Sequence, residues 1–248
     1  MNALILAAGY ATRLYPLTLT KAKPLLEIAG KPMIEWVTNQ LISIPSLKWI
    51  YIVTNKKFAT DFVAWTRHYT PKRDSVGFTV VNDGSTSDAD KLGAIGDIHY
   101  VLENEQIYDD DFLVIAGDNL LSEPLTDFAN FASQHPATLA VYDVKSLDEA
   151  KKYNQLTTNP DGILTAFEEK PSRPVSTICG IALYYYRPEA LKLFHSYIQG
   201  GNNPDQPGRF VQWIHTRVDV FTYPIQGIWY DIGSHETLTK AGEIFGKL

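Results

Sequence analysis

Cysteine is almost absent from this 248-residue sequence, in which Cys179 is the only one. A single cysteine excludes an intramolecular disulfide and a cysteine-rich metal site, so we expect a buried structural thiol. Long apolar runs are also absent, because no segment approaches the ~20 apolar residues of a membrane span. The apolar segment 3–8 stops at Gly9 and lacks the basic leader of a signal peptide. The sequence therefore predicts no membrane partner and a cytoplasmic location.

An excess of basic residues is missing as well. The chain has 22 Lys and Arg against 28 Asp and Glu, a formal net charge of −6. This balance disfavours a nucleic-acid partner, which usually needs a basic face. The first 31 residues nevertheless contain four basic side chains and one acidic side chain. A locally basic segment on an acidic chain indicates a small anionic ligand near the start of the sequence.

The order of apolar patterns predicts an α/β fold. Strand-length apolar runs alternate with segments of helical period, which is typical of a largely parallel sheet flanked by helices. In the second half, the turn-forming segment 159–162 predicts a hairpin. The predicted strands are 4–6, 49–53, 78–81, 112–115 and 181–186, and the predicted helices begin at Pro32, after Asn55, near Leu92, after Ser146, at Pro188 and after Ser234, with a loop at 200–208. We expect one domain, 1–248, with halves 1–120 and 121–248.

The loop after the first strand carries the first chemical signal. Residues 6–14 read LAAGYATRL, and the carboxyl end of a parallel strand is where α/β proteins bind nucleotides. Small residues let backbone N–H groups approach phosphates, and Arg13 offers a forked donor for phosphate oxygens. The segment 30–32 is not a P-loop, because the preceding glycine and the following Ser or Thr are missing.

Further motifs follow along the chain in a fixed order. They are Thr12-Arg13-Leu14, Pro16-Leu17-Thr18 and Lys23-Pro24-Leu25-Leu26, followed by 117–119 (GDN), 168–171 (EEKP) and 229–233 (WYDIG). Together these motifs resemble the signature of the sugar-1-phosphate nucleotidyltransferase family. The resemblance covers nearly the whole chain. One departure is Ala11, where many family members have glycine, which tolerates a positive φ better.

The resemblance implies a Rossmann-like (GT-A-like) sheet with a small hairpin-rich sugar-binding portion, and a first half that binds the nucleotide. It implies transfer of a nucleotidyl group from an NTP, UTP or dTTP, to a sugar 1-phosphate, with glucose 1-phosphate as the default. The implied cofactor is Mg²⁺. The implied catalytic residues are Arg13, Lys23 and Asp118; the nucleotide-binding residues Ala8, Gly9, Thr12, Arg13, Asn82, Gly93 and Asp118; the sugar-phosphate-binding residues Lys23, Asn119, Glu169, Lys170 and Gly180; and the metal ligands Asp118 and Asp231.

Several alternatives stay open at this stage. The same scaffold serves cytidylyltransferases that act on phosphocholine or polyol phosphates, although the segment 168–171 favours a sugar. A catalytically inactive sugar-nucleotide sensor would usually lose Arg13, Asp118 or Asp231, and all three are present. Asn82 is a candidate for base recognition or a simple turn residue. The six histidines show no metal-ligand spacing, and the oligomeric state, monomer or small homo-oligomer, is open.

Overall fold

A computed structural model describes residues 1–69 and 75–247 as an α/β protein. The strands are β1 (Asn2–Leu6), β2 (Glu27–Ile28), β3 (Lys31–Pro32), β4 (Trp49–Thr54), β5 (Gly77–Asn82), β6 (Phe112–Ala116), β7 (Asn119–Leu121), β8 (Ala137–Asp143), β9 (Asn154–Thr158), β10 (Leu164–Glu169), β11 (Ile178–Tyr186), β12 (Val220–Pro224) and β13 (Trp229–Asp231). The helices are α1 (Met33–Ile42), α2 (Ala59–His68), α3 (Ala94–Glu105), α4 (Thr126–Ala132), α5 (Leu147–Ala150), α6 (Pro188–Gln199), α7 (Pro207–Ile214) and α8 (His235–Phe245).

Seven strands form a mostly parallel sheet in the order β12-β8-β11-β6-β1-β4-β5. Strands β1, β4 and β5 pair in parallel, as do β8 and β12, whereas β11 runs antiparallel to β8. β1 and β6 are almost entirely buried. Apart from Asn2 their residues are apolar, which is typical of strands covered on both faces. The predicted fold class is confirmed. The hairpin predicted around 159–162 is also present, formed by β9 and β10.

Three predicted element boundaries are wrong. Pro32 does not open α1: it pairs in the short β2–β3 ribbon, and the helix begins at the next residue. Asn55 accepts a hydrogen bond of 3.2 Å from the N–H of Phe58 and so closes a turn that precedes α2. The predicted loop 200–208 ends early, because α7 starts at Pro207. Its apolar residues recur at helical spacing and are buried, which outweighs the glycines and prolines before them.

The chain divides into two compact units, each assembled from separate segments. The first consists of Met1–Leu92, Ile115–Thr126 and Gly227–Leu248, and the second of Gly93–Val114 and Asp127–Gln226. Within the first unit, the ring of Trp36 meets that of Phe245 edge to face. Within the second, Phe194 and Phe210 stack with ring centroids 3.7 Å apart. None of the helices in the described residues is long and apolar enough to cross a membrane.

Candidate active site

The loop that follows β1 is held by hydrogen bonds from polar side chains at the end of β4. The side chains of Thr54 and Asn55 donate to the carbonyl oxygens of Ala7 and Ala8, at 3.3 and 2.9 Å. Both donors are fully buried. A Cβ added to Gly9 would meet nothing within 4 Å. Packing within the described fold therefore does not itself demand glycine there.

The tip of this loop is strained and leads to an exposed arginine. Ala11 has φ +47° and ψ +46°, the left-handed conformation that alanine adopts at a cost. The hydroxyl of buried Thr18 donates to the carbonyl oxygen of Ala11 at 2.9 Å and holds it in place. Arg13 follows in a short 3-10 helix, Thr12–Leu14, and is exposed. Its guanidinium contacts no acceptor in the described part of the chain, so all its donors are available.

Lys23 and Asp118, 95 residues apart in sequence, form an ion pair between Nζ and Oδ2. Their approach depends on Gly117, where a Cβ would lie 2.9 Å from Cγ of Pro24 and 3.0 Å from the carbonyl oxygen of Leu6. Burial opposes ionisation of Asp118, but the charge of the Lys23 ammonium and the hydrogen bonds from Lys23 and Asn119 together hold the pKa of that carboxyl below its usual value. Asp118 is therefore a carboxylate at neutral pH.

Asp231 lies next to this pair because β13 is antiparallel to β7. The register places Asp231 opposite Asn119, and the N–H of Ile232 bonds to the carbonyl oxygen of Asp118 at 3.3 Å. Both ends of the Asn119 amide form hydrogen bonds. Its Oδ1 accepts from the indole of Trp229 at 2.7 Å, and its Nδ2 donates to Oδ1 of Asp118 at 3.0 Å. Asn119 thus orients Asp118 and anchors β13.

The polar segment after β5 is ordered by its own side chains. Asn82 accepts from the N–H of Gly84 at 3.0 Å, which is the geometry of an Asx turn. Asp83 is buried and accepts from both the N–H and the hydroxyl of Ser85. The hydroxyl of Tyr10 reaches the same serine hydroxyl at 3.5 Å. Asn82 is exposed, so a turn role and a ligand-binding role are compatible.

Gly93 is required by packing in the second unit. It has φ +78°, and a Cβ there would lie 2.7 Å from both Cα of Asp205 and the carbonyl oxygen of Pro204. The N–H groups of Ala94 and Ile95, the first two of α3, donate to the carbonyl oxygens of Asp205 and Pro204. Those two donors at the N-terminus of α3 are therefore already satisfied by protein.

The segment predicted to hold the sugar phosphate lies at the end of β10. Lys170 is exposed and has φ +52°, and its N–H donates to the carbonyl oxygen of Tyr153 at 2.8 Å. Burial raises the pKa of Glu169, although Lys170 and Arg209 oppose the rise. The Glu169 carboxylate packs against Gly208 at the start of α7, where any Cβ would collide with it.

Gly180 is held on both sides by one asparagine. Its N–H donates to Oδ1 of Asn154 at 2.7 Å, and its carbonyl oxygen accepts from Nδ2 of Asn154 at 2.9 Å. The β11–β8 register shifts directly after Gly180, so this side chain replaces part of the strand ladder. A Cβ at Gly180 would approach Leu139 to 2.8 Å. These contacts fix the position of the backbone at Gly180.

The comparisons with known proteins agree with this geometry. The profile of the nucleotidyl transferase family matches residues 2–246. The chain belongs to that family. A UTP–glucose-1-phosphate uridylyltransferase of Haloferax volcanii is 30% identical over 197 residues, which cover 79% of this chain and 74% of that protein. A mannose-1-phosphate guanyltransferase of Candida albicans is 26% identical, over 94% of this chain and 61% of its own length. These matches confirm the family that the motifs predicted, the sugar-1-phosphate nucleotidyltransferases, which are enzymes of class EC 2.7.7.

The solved structures support the fold of this nucleotidyl transferase family member. A UDP-glucose pyrophosphorylase solved with UDP-glucose has a TM-score of 0.81 and 22% identity, over 99% of this chain and 98% of that one. At that identity the likeness establishes the fold alone. A UTP–glucose-1-phosphate uridylyltransferase of Synechocystis is 27% identical to this chain. The chain covers 60% of that protein and 61% of the Candida protein, so it spans about three fifths of each.

The donor set beside Lys23 fits a divalent cation, which enzymes of this family generally use. Asp118 directly precedes β7, and Asp231 ends the paired strand β13. Both carry carboxylate oxygens, which are ligands that hard divalent ions prefer. The Lys23 ammonium already compensates one carboxylate, which indicates that the position attracts positive charge. Asn119 holds Asp118 by a hydrogen bond, the kind of outer contact that orients a metal ligand.

The sequence gives no role to three residues that position the site. Thr18 and Trp229 belong to the motifs, but their hydrogen bonds to Ala11 and Asn119 are visible only in the structure. Asn154 lies outside every motif and bonds to a strand 26 residues away. The structure also brings His99, Glu103 and His195 together. The spacing of four between the first two was a signal, but the third lies on another helix, 96 residues further along the chain.

Proposed function

We propose that the protein transfers a nucleotidyl group from an NTP to a sugar 1-phosphate and releases pyrophosphate. The observation that carries the proposal is the cluster of Lys23, Asp118 and Asp231, assembled from three distant segments in a member of the nucleotidyl transferase family. It lies in the same compact unit as the loop with Arg13, so cationic and anionic groups suited to a triphosphate and its metal occur in one folded unit.

UTP and glucose 1-phosphate are the substrates that we propose first. The support is the uridylyltransferase of Haloferax volcanii, which shares 30% identity with this chain and is named for those two compounds. Relatives named for guanyl and adenylyl transfer share 25–26%. dTTP is the alternative pyrimidine nucleotide. The segment around Glu169 and Lys170, with a partly buried carboxylate beside an exposed ammonium, suits a phosphorylated sugar better than a cationic choline.

The chemistry needs charge compensation rather than a general base. A phosphate oxygen of the sugar 1-phosphate attacks the α-phosphorus of the NTP and forms the new P–O bond. The bond to the oxygen that bridges to the β-phosphate breaks, and its electron pair leaves with pyrophosphate. The nucleophile is already anionic at neutral pH, so the main difficulty is to position two polyanions and stabilise the developing charge.

The roles we assign follow from the charges of the side chains. Arg13 binds the triphosphate and stabilises the leaving pyrophosphate through its forked donors. Lys23 bridges the phosphates of the two substrates, and Lys170 binds the phosphate of the sugar. Asp118 and Asp231 would hold Mg²⁺, which when bound supplies positive charge to phosphate oxygens.

Loops and outer contacts complete the proposed site. The backbone at Ala8 and Gly9 and the hydroxyl of Thr12 contact the phosphates. Asn82 and the backbone near Gly93 contact the nucleotide. Glu169 and the backbone of Gly180 contact the sugar, and Asn119 positions Asp118. In this proposal residues 1–120 bind the nucleotide and residues 121–248 bind the sugar phosphate, except that Asp231 is a ligand of the metal ion.

A pyrophosphate-release screen tests the proposal directly. The full chain is incubated with each of UTP, dTTP, CTP, ATP and GTP against glucose 1-phosphate, mannose 1-phosphate and phosphocholine, with MgCl₂ present. We expect release with UTP or dTTP and glucose 1-phosphate, its loss in EDTA, and its return with Mg²⁺ or Mn²⁺. Release with CTP and phosphocholine alone would favour the cytidylyltransferase, and binding without release in every pair would favour the sensor.

A further inference from the structure

Three metal-ligating side chains meet on the surface of the second compact unit. His99 and Glu103 lie one turn apart on α3, and His195 projects from α6. Nε2 of His99, Nδ1 of His195 and Oε1 of Glu103 form a triangle whose three edges are each 3.5 Å. None of the three belongs to the site proposed for nucleotidyl transfer, and we call them the His-Glu-His cluster.

The spacing of the cluster suits ligation better than hydrogen bonding. Each edge of 3.5 Å is longer than the ~2.7–3.2 Å of a good hydrogen bond. In a regular tetrahedron with edges of that length, the centre lies about 2.1 Å from each corner. An ion at the centre would therefore be as far from the three ligand atoms as zinc is from nitrogen and oxygen ligands, ~2.0–2.2 Å. The three atoms are thus separated as three ligands of one small cation would be.

The residue types and their surroundings point to the same ion. Two imidazoles and one carboxylate are a donor set that zinc sites use when a fourth position is open. Tyr108 donates its hydroxyl hydrogen to Oε1 of Glu103 at 2.5 Å. Such a contact orients a ligating carboxylate. The side-chain exposures of His99, Glu103 and His195, 18, 45 and 56%, leave a path from solvent.

We propose that the His-Glu-His cluster binds a divalent transition-metal ion of borderline softness, with Zn²⁺ as the best fit and water in the fourth position. The bound ion would link α3 to α6. Mg²⁺ would compete poorly, because imidazole nitrogens suit zinc, copper and nickel whereas magnesium prefers oxygen ligands. Zn²⁺ binding to the His-Glu-His cluster can therefore be measured while excess Mg²⁺ saturates the proposed magnesium site.

The test measures Zn²⁺ binding by calorimetry to the full, chelator-treated chain in excess Mg²⁺. We expect one equivalent to bind, with a rise in Tm and, for Co²⁺, the intense visible absorption of tetrahedral coordination. His99→Gln and His195→Gln should each weaken Zn²⁺ binding by more than the roughly 10–100-fold typical of losing an outer contact. Tyr108→Phe should fall within that smaller range. His68→Gln, which alters an exposed histidine outside the cluster, is the matched control and should change nothing.

Each result of these measurements either supports or contradicts Zn²⁺ binding by the His-Glu-His cluster. Circular dichroism first establishes that each variant is folded, which we expect because the substituted side chains are partly exposed. Zn²⁺ binding that is absent from the unmodified chain, or that is as tight in His195→Gln as in His68→Gln, would overturn the proposal. The same holds if Co²⁺ gives only the weak absorption of octahedral coordination. Pyrophosphate release plays no part in any of these readouts, so the proposed function and the metal site stand or fall separately.

Discussion

At the scale of single residues, backbone strain coincides with the segments that carry the predicted phosphate ligands. Ala11 and Lys170 have φ of +47° and +52°, a region that costs residues other than glycine roughly 1–2 kcal/mol. Such strain persists where surrounding contacts impose it, and it is common at functional sites. Here Thr18 fixes Ala11 and Tyr153 fixes the backbone of Lys170. Protein contacts alone therefore hold both segments in place, which suits the phosphate-binding roles that we propose for them.

Arg13 provides the clearest prediction at this scale. Arg13→Ala should lower kcat by roughly 10²–10³-fold, which is the effect of removing one preorganised charge-stabilising donor. Arg13→Lys should recover little, because an ammonium cannot reproduce the two-pronged contact. The exposed guanidinium has no partner among the described residues, so thermal unfolding should be unchanged. Steady-state kinetics and a melting curve make the check, and near-normal turnover in the alanine variant would remove Arg13 from the mechanism.

At the scale of elements, the site depends on a close contact between two loops. Gly117→Ala would place a methyl group against Pro24 and the carbonyl oxygen of Leu6. We expect it to destabilise the protein by about 1–3 kcal/mol, as overpacking does, and to reduce turnover by displacing Lys23 from Asp118. Urea denaturation and kinetics measure the two effects.

The matched control for that substitution is Gly242→Ala in α8, where a Cβ would meet nothing within 4 Å. Replacing a glycine in a helix by alanine should stabilise it by up to about 1 kcal/mol and leave turnover intact. If both variants behaved alike, the contact at Pro24 would not be what positions Lys23.

The β7–β13 pair leads to a prediction of non-additivity. Asp118→Asn and Asp231→Asn should each nearly abolish turnover, because either loss destroys the same proposed Mg²⁺ site. The double variant should then be little worse than either single one. A double-mutant cycle on kcat/KM measures this, with circular dichroism as the control for folding. Effects that multiply in folded variants would exclude a shared metal ion.

The same scale shows what the sequence could and could not predict. Strands such as β1 and β6 were predictable because short apolar runs, too short for a typical helix, are typical of buried strands. The start of α2 was not predictable, because the side chain of Asn55 does not cap the helix. It bonds instead to the N–H of Phe58 in a turn and to the carbonyl oxygen of Ala8. The motifs located the predicted site residues along the chain. Their pairing, Lys23 with Asp118, depends on tertiary packing at Gly117 that no local pattern encodes.

At the scale of the whole molecule, the predicted ligands are divided between the two compact units. Arg13, Lys23, Asp118 and Asp231 belong to the first, although the last of them is 113 residues beyond Asp118 in the sequence. Glu169 and the following residues that resemble a sugar-phosphate segment belong to the second. Because Arg13 and Lys170 belong to different units, we expect substitutions of these two residues to affect different substrates.

Lys170→Ala tests that division. Alanine keeps a Cβ, so the strained backbone at φ +52° is retained and only the ammonium is lost. We expect a raised KM for the sugar 1-phosphate, with NTP affinity within a few-fold of the unmodified chain. Isothermal titration with NTP alone and kinetics with varied sugar 1-phosphate provide the measurements. Lys151→Ala, which removes an exposed ammonium that pairs with Asp148 in the same unit, is the matched control.

The double variant Arg13→Ala/Lys170→Ala makes the prediction stricter. If the two side chains bind different substrates, their effects on kcat/KM should multiply, because sites without shared partners are energetically additive. A ratio far from the product would mean that both act on one phosphate group. A large loss of NTP binding in Lys170→Ala alone would assign its segment to the nucleotide, and the second unit would then have no demonstrated role in holding the sugar.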